Sequence, residues 1–172
     1  VPPALSGRVL LAEAWGRSLG QGFSIDGDYA EDGITRRKFL GDSGWGSDRA
    51  HIVIPAKYHR LATSKGVNKP GRWNIALGEP SDAPDLTTET SGNTSRVYAY
   101  HGAKTHAEVN FEGNGSVWLY DFQGGKEQKL IEHGAKFRGT IVIPGPGLVA
   151  VAGGHGGALR WGSLPDWRMT LR

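Results

Sequence analysis

Cysteine is absent from this chain of 172 residues. That excludes disulfides, thiolate zinc sites and a cysteine nucleophile, so packing alone must hold the fold. The length is sufficient, because a chain near this size buries roughly 70% of the surface it exposes unfolded. A reducing compartment fits the lack of cysteine, as does an assembly in which subunit packing replaces cross-links. Long apolar runs are lacking too: no stretch approaches the roughly 20 apolar residues of a membrane-spanning helix. No signal-peptide pattern opens the chain, and Val1 fits a processed end or a GTG start codon. Helical periodicity is scarce. Only Arg8 to Arg17 spans three turns, and its Val9–Leu11 run suits a strand equally well. Strong charge is also missing. The net charge is +3, and the one dense basic run, Arg36-Arg37-Lys38, is flanked by acidic residues. This describes a cationic, solvated surface and argues against a nucleic-acid partner.

Glycine is abundant, at 27 residues spread among short apolar runs. That pattern suits strands joined by tight turns, where glycine reaches positive φ without steric cost. Ser116–Phe122, Thr140–Ile143 and Leu148–Ala152 are β-branched, aromatic or alternating, and each reads as a strand. The arrangement then repeats. Ile52-Val53-Ile54-Pro55 precedes a polar stretch and Trp73-Asn74-Ile75-Ala76-Leu77; Ile141-Val142-Ile143-Pro144 precedes a glycine-rich stretch and Trp167-Arg168-Met169-Thr170-Leu171. Arg8-Val9 and Arg96-Val97 stand at similar distances upstream and read as the openings of the two halves. In W-x-I-x-L the first, third and fifth side chains share one face of a strand and line one core. Proline after IVI ends a strand because it cannot donate to the ladder. The expected fold is therefore all-β, a β-sandwich or jelly-roll-like architecture of two similar tandem modules, residues 1–77 and 96–172. Residues 78–95, acidic and rich in Pro, Ser and Thr, read as a linker or a long surface loop.

Gly41-Asp42-Ser43-Gly44 is similar to the nucleophile loop of trypsin-like serine proteases over four residues only. Trp45 stands where that family has glycine, and the first histidine, His51, follows the serine instead of preceding it, so a turn before a strand is expected and no triad. Asp26, Asp28 and Asp32 lie in an acidic, glycine-bounded segment, 26–33, that reads as a solvated turn with calcium as the lesser option. Its spacing departs from the EF-hand pattern at Ala30. His101-Gly102-Ala103-Lys104 recurs as His133-Gly134-Ala135-Lys136; with no third ligand placed beside His101 and His106, both read as turns and not zinc sites. Gly145-Pro146-Gly147 opens a strand pattern, so it reads as a hairpin connection and not a phosphate cradle.

Trp73, Trp118 and Trp167 sit in strands and are expected in the core. Trp15, Trp45 and Trp161 lie among glycine and polar residues, where an indole caps a core, anchors an interface or stacks on a sugar. Trp45 has Asp42, Asp48 and Arg49 nearby in sequence, a set suited to hydroxyl recognition. No acid, base and nucleophile form a coherent set, and no cofactor is implied. The expected function is therefore non-enzymatic: a structural or interaction protein of a repeating assembly, of the phage capsid-decoration or tail type. Its partners would be other protein subunits, and its place the virion or the cell exterior, with the cytoplasm as the remaining option. The alternative is a carbohydrate-binding, lectin-like module.

Overall fold

In the computed structural model, residues 1–16, 23–42, 49–65, 73–123, 126–153 and 167–172 are described. They form an all-β sandwich of two similar modules, with two short 3-10 turns (Pro3–Leu5 and Pro80–Asp82) and no α-helix. Within Arg8–Arg17, the one helical option in the sequence, Leu10–Gly16 forms a strand.

The first module has strands β1 (Leu10–Gly16), β2 (Phe23–Glu31), β3 (Ile34–Asp42), β4 (Arg49–Ile54), β5 (Tyr58–Lys65) and β6 (Trp73–Gly78). They make two antiparallel sheets, ordered β4-β1-β6 and β3-β2-β5. The second begins with β7 (Glu89–Gly92) and β8 (Arg96–Tyr100), followed by β9 (Thr105–Phe111), β10 (Gly115–Tyr120), β11 (Glu127–His133), β12 (Phe137–Ile143), β13 (Gly147–Gly153) and β14 (Trp167–Leu171). Its sheets are ordered β12-β9-β14-β7 and β11-β10-β13-β8. Removing β7 and β8 leaves the pairing of the first module, strand for strand. Register repeats as well: Ala12 lies opposite Ile52 and Leu77, and Ala107 lies opposite Ile141 and Leu171. The openings differ from the sequence expectation. β1 corresponds to β9, so Arg96-Val97 belongs to the added strand β8 and is no counterpart of Arg8-Val9.

The repeated IVIP is a corner of the sandwich. β4 and β12 lie in one sheet of their module, while the strands that follow, β5 and β13, lie in the facing sheet. Gly145-Pro146 is accordingly a crossing between sheets and not the hairpin its composition suggested; Pro55 accepts the Tyr58 N–H bond that closes the first corner, at 3.1 Å. Both His-Gly-Ala-Lys segments also lie between strands of facing sheets. Residues 78–95 carry more than a linker would: a 3-10 turn, a bridge from Asp85 to Ala99, and β7, which pairs with β14.

Three apolar layers separate the four sheets. The first module encloses Leu10, Ala12, Ile25, Ile52, Ile54 and Tyr58. The second encloses Phe111, Val117, Ile141, Val151, Trp167 and Met169. Between the modules, the reverse faces of β1 and β4 (Leu11, Val53) meet the reverse faces of β8, β10 and β13 (Val97, Ala99, Trp118, Tyr120, Leu148). The sheets thus stack in the order β3-β2-β5, β4-β1-β6, β11-β10-β13-β8, β12-β9-β14-β7. Trp167 is buried as the sequence indicated; its Nε1–H donates to the Thr94 carbonyl at 3.0 Å, and Tyr98 packs edge-on against its ring. Gly92 and Gly153 press on the indole, where a Cβ would approach to 2.8 and 2.6 Å. Trp118 departs from expectation. Val117 and Leu119 take the inward positions of β10, so the alternation turns Trp118 toward the other module.

Candidate functional site

Of the residues singled out in the sequence, two meet. Trp15 on β1 lies directly opposite Arg49 on β4, on the face of that sheet that carries Leu11 and Val53 toward the second module. Arg49 bonds Glu13 at 2.6 Å, and the half-buried indole lies next to this exposed pair. His51, opposite Glu13, is pushed below its ordinary pKa by burial and then by the charge of Arg96. Asp42 closes β3, but its side chain is not among those described; Trp45, Asp48, Trp161 and Ser43 lie outside the described residues, as does the Trp73 side chain.

The acidic segment is not a loop. Asp26 and Asp28 lie in β2, and Glu31 opposite Ile34 leaves Asp32 and Gly33 as a two-residue hairpin turn, at φ 52° and 76°. Left-handed backbone at both positions is what a type I′ hairpin demands, and Asp-Gly supplies it. Asp28 is nearly buried on the outer face of its sheet, taking two bonds from Arg37, Nε at 2.7 Å and Nη2 at 3.1 Å, with Arg60 on the other side at 3.9 Å. The Arg37 bonds hold this carboxyl below the usual carboxylate range. A carboxylate so engaged serves its strand neighbours, and among the described residues no three His, Cys, Asp or Glu side chains are grouped to hold a metal ion. Sequence spacing left shared ligation as the lesser option and carried no information about Arg37, nine residues on.

Two places gather chemistry that sequence reasoning missed. The first is the seam between the modules. Glu127 of β11 accepts from Lys57 at 2.6 Å and pairs with Lys38 at 3.0 Å, both from the first module. Lys38 also lies 3.9 Å from the Trp118 ring centroid, with Lys129 at 5.4 Å. Burial raises the Glu127 pKa while the two lysines lower it, and the lysines prevail. Beside them the Tyr58 phenol is pushed up by burial and by Glu127; its hydroxyl and Glu127 Oε2 are buried without a hydrogen-bond partner among the described residues. This cluster fixes one module on the other.

The second is an open groove of roughly 560 Å³ beside the seam. Its floor is Ala83 and Ala99, and its walls are Pro80 and the stacked rings of His101 and Phe122, 5.3 Å apart with 13° between planes. The polar rim is Glu79, Ser81, Asp85 and His101. Glu79 is gripped by Arg8 through two bonds of 2.8 and 2.7 Å, and Asp85 lies 3.4 Å from His101 Nε2. The backbone beneath is tied: Leu86 N–H donates to Ala99 O at 2.7 Å and Ala99 N–H to Pro84 O at 2.8 Å. The residues come from segments more than a dozen positions apart, so no local motif announces them. No protein-family model matches the chain, and no curated protein matches it.

Proposed function

We propose that this protein is a non-enzymatic interaction protein, a subunit of a repeating assembly of the kind that decorates a phage capsid or builds a tail. One observation carries the reading. The chain joins its own modules by laying the β4-β1-β6 sheet on the second module, and the equivalent sheet of the second module, β12-β9-β14-β7, is an outermost layer that none of the described strands covers. Val142, in the register position of the buried Val53, is 40% exposed there. On β3 the exposed apolar residues Ile34 and Phe39 lie on opposite faces of the strand, so they add no second apolar patch. A subunit laid on this face through any other surface would make a heterologous contact, the type that propagates from subunit to subunit. The rest of the open face is polar (His106, Glu108, Arg138), so such a contact is wet and individually weak, and the many copies of a particle surface strengthen it through effective concentration. On this reading the partners are further subunits, in a virion or outside the cell.

Light scattering and electron microscopy across a concentration series, alone and with particles from the native source, test this. Concentration-dependent oligomers or decorated particles, lost in Val142→Asp, are expected. A strict monomer that decorates nothing would sink the proposal.

A second reading, a carbohydrate-binding module, is favoured by the groove, which sets an aromatic pair among mixed hydrogen-bonding groups.

A further inference from the structure

We propose that the groove beside the seam is a binding site for a neutral saccharide; this rests on the carbohydrate-binding reading and adds to it the site and the ligand class. A cleft of roughly 560 Å³ has room for one or two sugar rings. Sugars offer two chemistries at once, an apolar C–H face and a rim of hydroxyls that each donate and accept. The groove matches both. The His101 ring is backed by Phe122 and its side chain is 67% exposed, so it presents a ring face on which a pyranose can lie. Acceptors stand around it in the Asp85 and Glu79 carboxylates; the Ser81 hydroxyl both donates and accepts, and Arg8, clamped to Glu79, brings guanidinium N–H groups to the same edge.

Charge argues against the other small ligands. A cation needs acceptors alone and would find Glu79 already neutralised by Arg8. An anion would meet Asp85, whose side chain is 82% exposed. The floor of two alanines lets a ring settle without displacing a side chain, and the hydrogen bonds under Pro84, Leu86 and Ala99 hold the rim in place before any ligand arrives.

The test is an NMR titration of the full chain, isotope-labelled, with methyl glucoside, methyl galactoside, N-acetylglucosamine, cellobiose and lactose, using arginine methyl ester and inorganic phosphate as charged controls. Amide shifts confined to residues 79–85, 99–102 and 121–122 are expected with at least one sugar. His101→Ala and Asp85→Ala should each weaken that binding by roughly five- to tenfold, as the loss of a single polar or stacking contact does. Both side chains are exposed, so the melting temperature of each variant should stay that of the parent. If sugars instead shift residues elsewhere and both variants bind as the parent does, the groove assignment falls and the carbohydrate reading stands. Shifts in the groove from a charged control alone overturn the ligand class. Silence toward every sugar overturns the reading and the site together.

Discussion

Val53 and Val142 occupy the same place in two copies of one motif, yet Val53 is 1% exposed and Val142 40%. Each sits between two core isoleucines on an edge strand, facing away from its own module's core. The second module covers the first valine, and none of the described strands covers the second. Neighbouring positions follow the same logic: Leu11, opposite Val53, becomes His106, opposite Val142. Glu13 becomes Glu108 and Arg49 becomes Arg138, so the polar frame of the face persists while its apolar centre thins. A sheet face takes its composition from what lies on it, and strand geometry is indifferent to that.

The interiors differ as well. At one level of the first core Ala14 lies opposite Ala50 and Ile75; the equivalent level of the second has Val109 opposite Gly139 and Met169. Side-chain volume is redistributed across the layer while the pairing is unchanged, which is how cores tolerate substitution. The second module also gains β7 and β8, which extend both of its sheets to four strands and supply Tyr98 to hold Trp167.

The sharpest way to break this comparison is to place a charge at both valines. Val53→Asp buries an unpaired carboxylate between the modules and should cost about 4 kcal/mol, enough to separate or unfold them. Trp167→Ala empties the largest buried side chain of the second core and should cost about 3–5 kcal/mol. In denaturant the second module should then unfold ahead of the first; simultaneous loss would mean that the modules do not fold as separable units. Ile52→Ala and Ile141→Ala probe equivalent positions and should each cost about 2–5 kcal/mol, with similar values if the repeat is energetic as well as geometric.

Glu127→Gln removes the charge that binds Lys57 and Lys38 and should cost about 1–2 kcal/mol in calorimetry. Since the folded-state pKa of Glu127 is lowered, its contribution is fully present above the unfolded carboxyl value and is lost as the pH falls through the folded one. The Gln variant should therefore show a flatter acid limb of stability against pH; an unchanged slope would remove Glu127 from the account of the seam. Val142→Asp should change monomer stability by no more than about 0.5 kcal/mol, as exposed positions do. The contrast with Val53→Asp is the measurement that matters.

How much could be read beforehand follows from what is local. Strand identity, the proline corners and the duplicated order lie within windows of a few residues, and alternation marks them. Asp32-Gly33 is also a local hairpin signal and lies in the segment expected as a turn, but the acidic residues around it mask the strands on either side. β7, with its Glu-Thr-Ser-Gly composition, resembles linker because an edge strand pairs through backbone groups that its side chains do not advertise. Trp118 was legible as apolar packing and illegible in direction: in a sheet covered on both faces, Val117 and the half-buried Trp118 are apolar alike, and only the stacking of sheets says which layer each enters.

By itself, then, the order of residues determined that the fold is all-β, that proline closes two of its strands, and that one plan occurs twice, since these depend on side-chain alternation and on the backbone limits of proline and glycine. Tertiary structure alone decided which faces meet, that Arg37 claims Asp28, that two lysines of one module converge on Glu127 of the other, and that His101 and Phe122 share a groove with Glu79 and Asp85. Those juxtapositions join segments far apart along the chain, and their partners are set by register and layer order, which no short window of sequence contains.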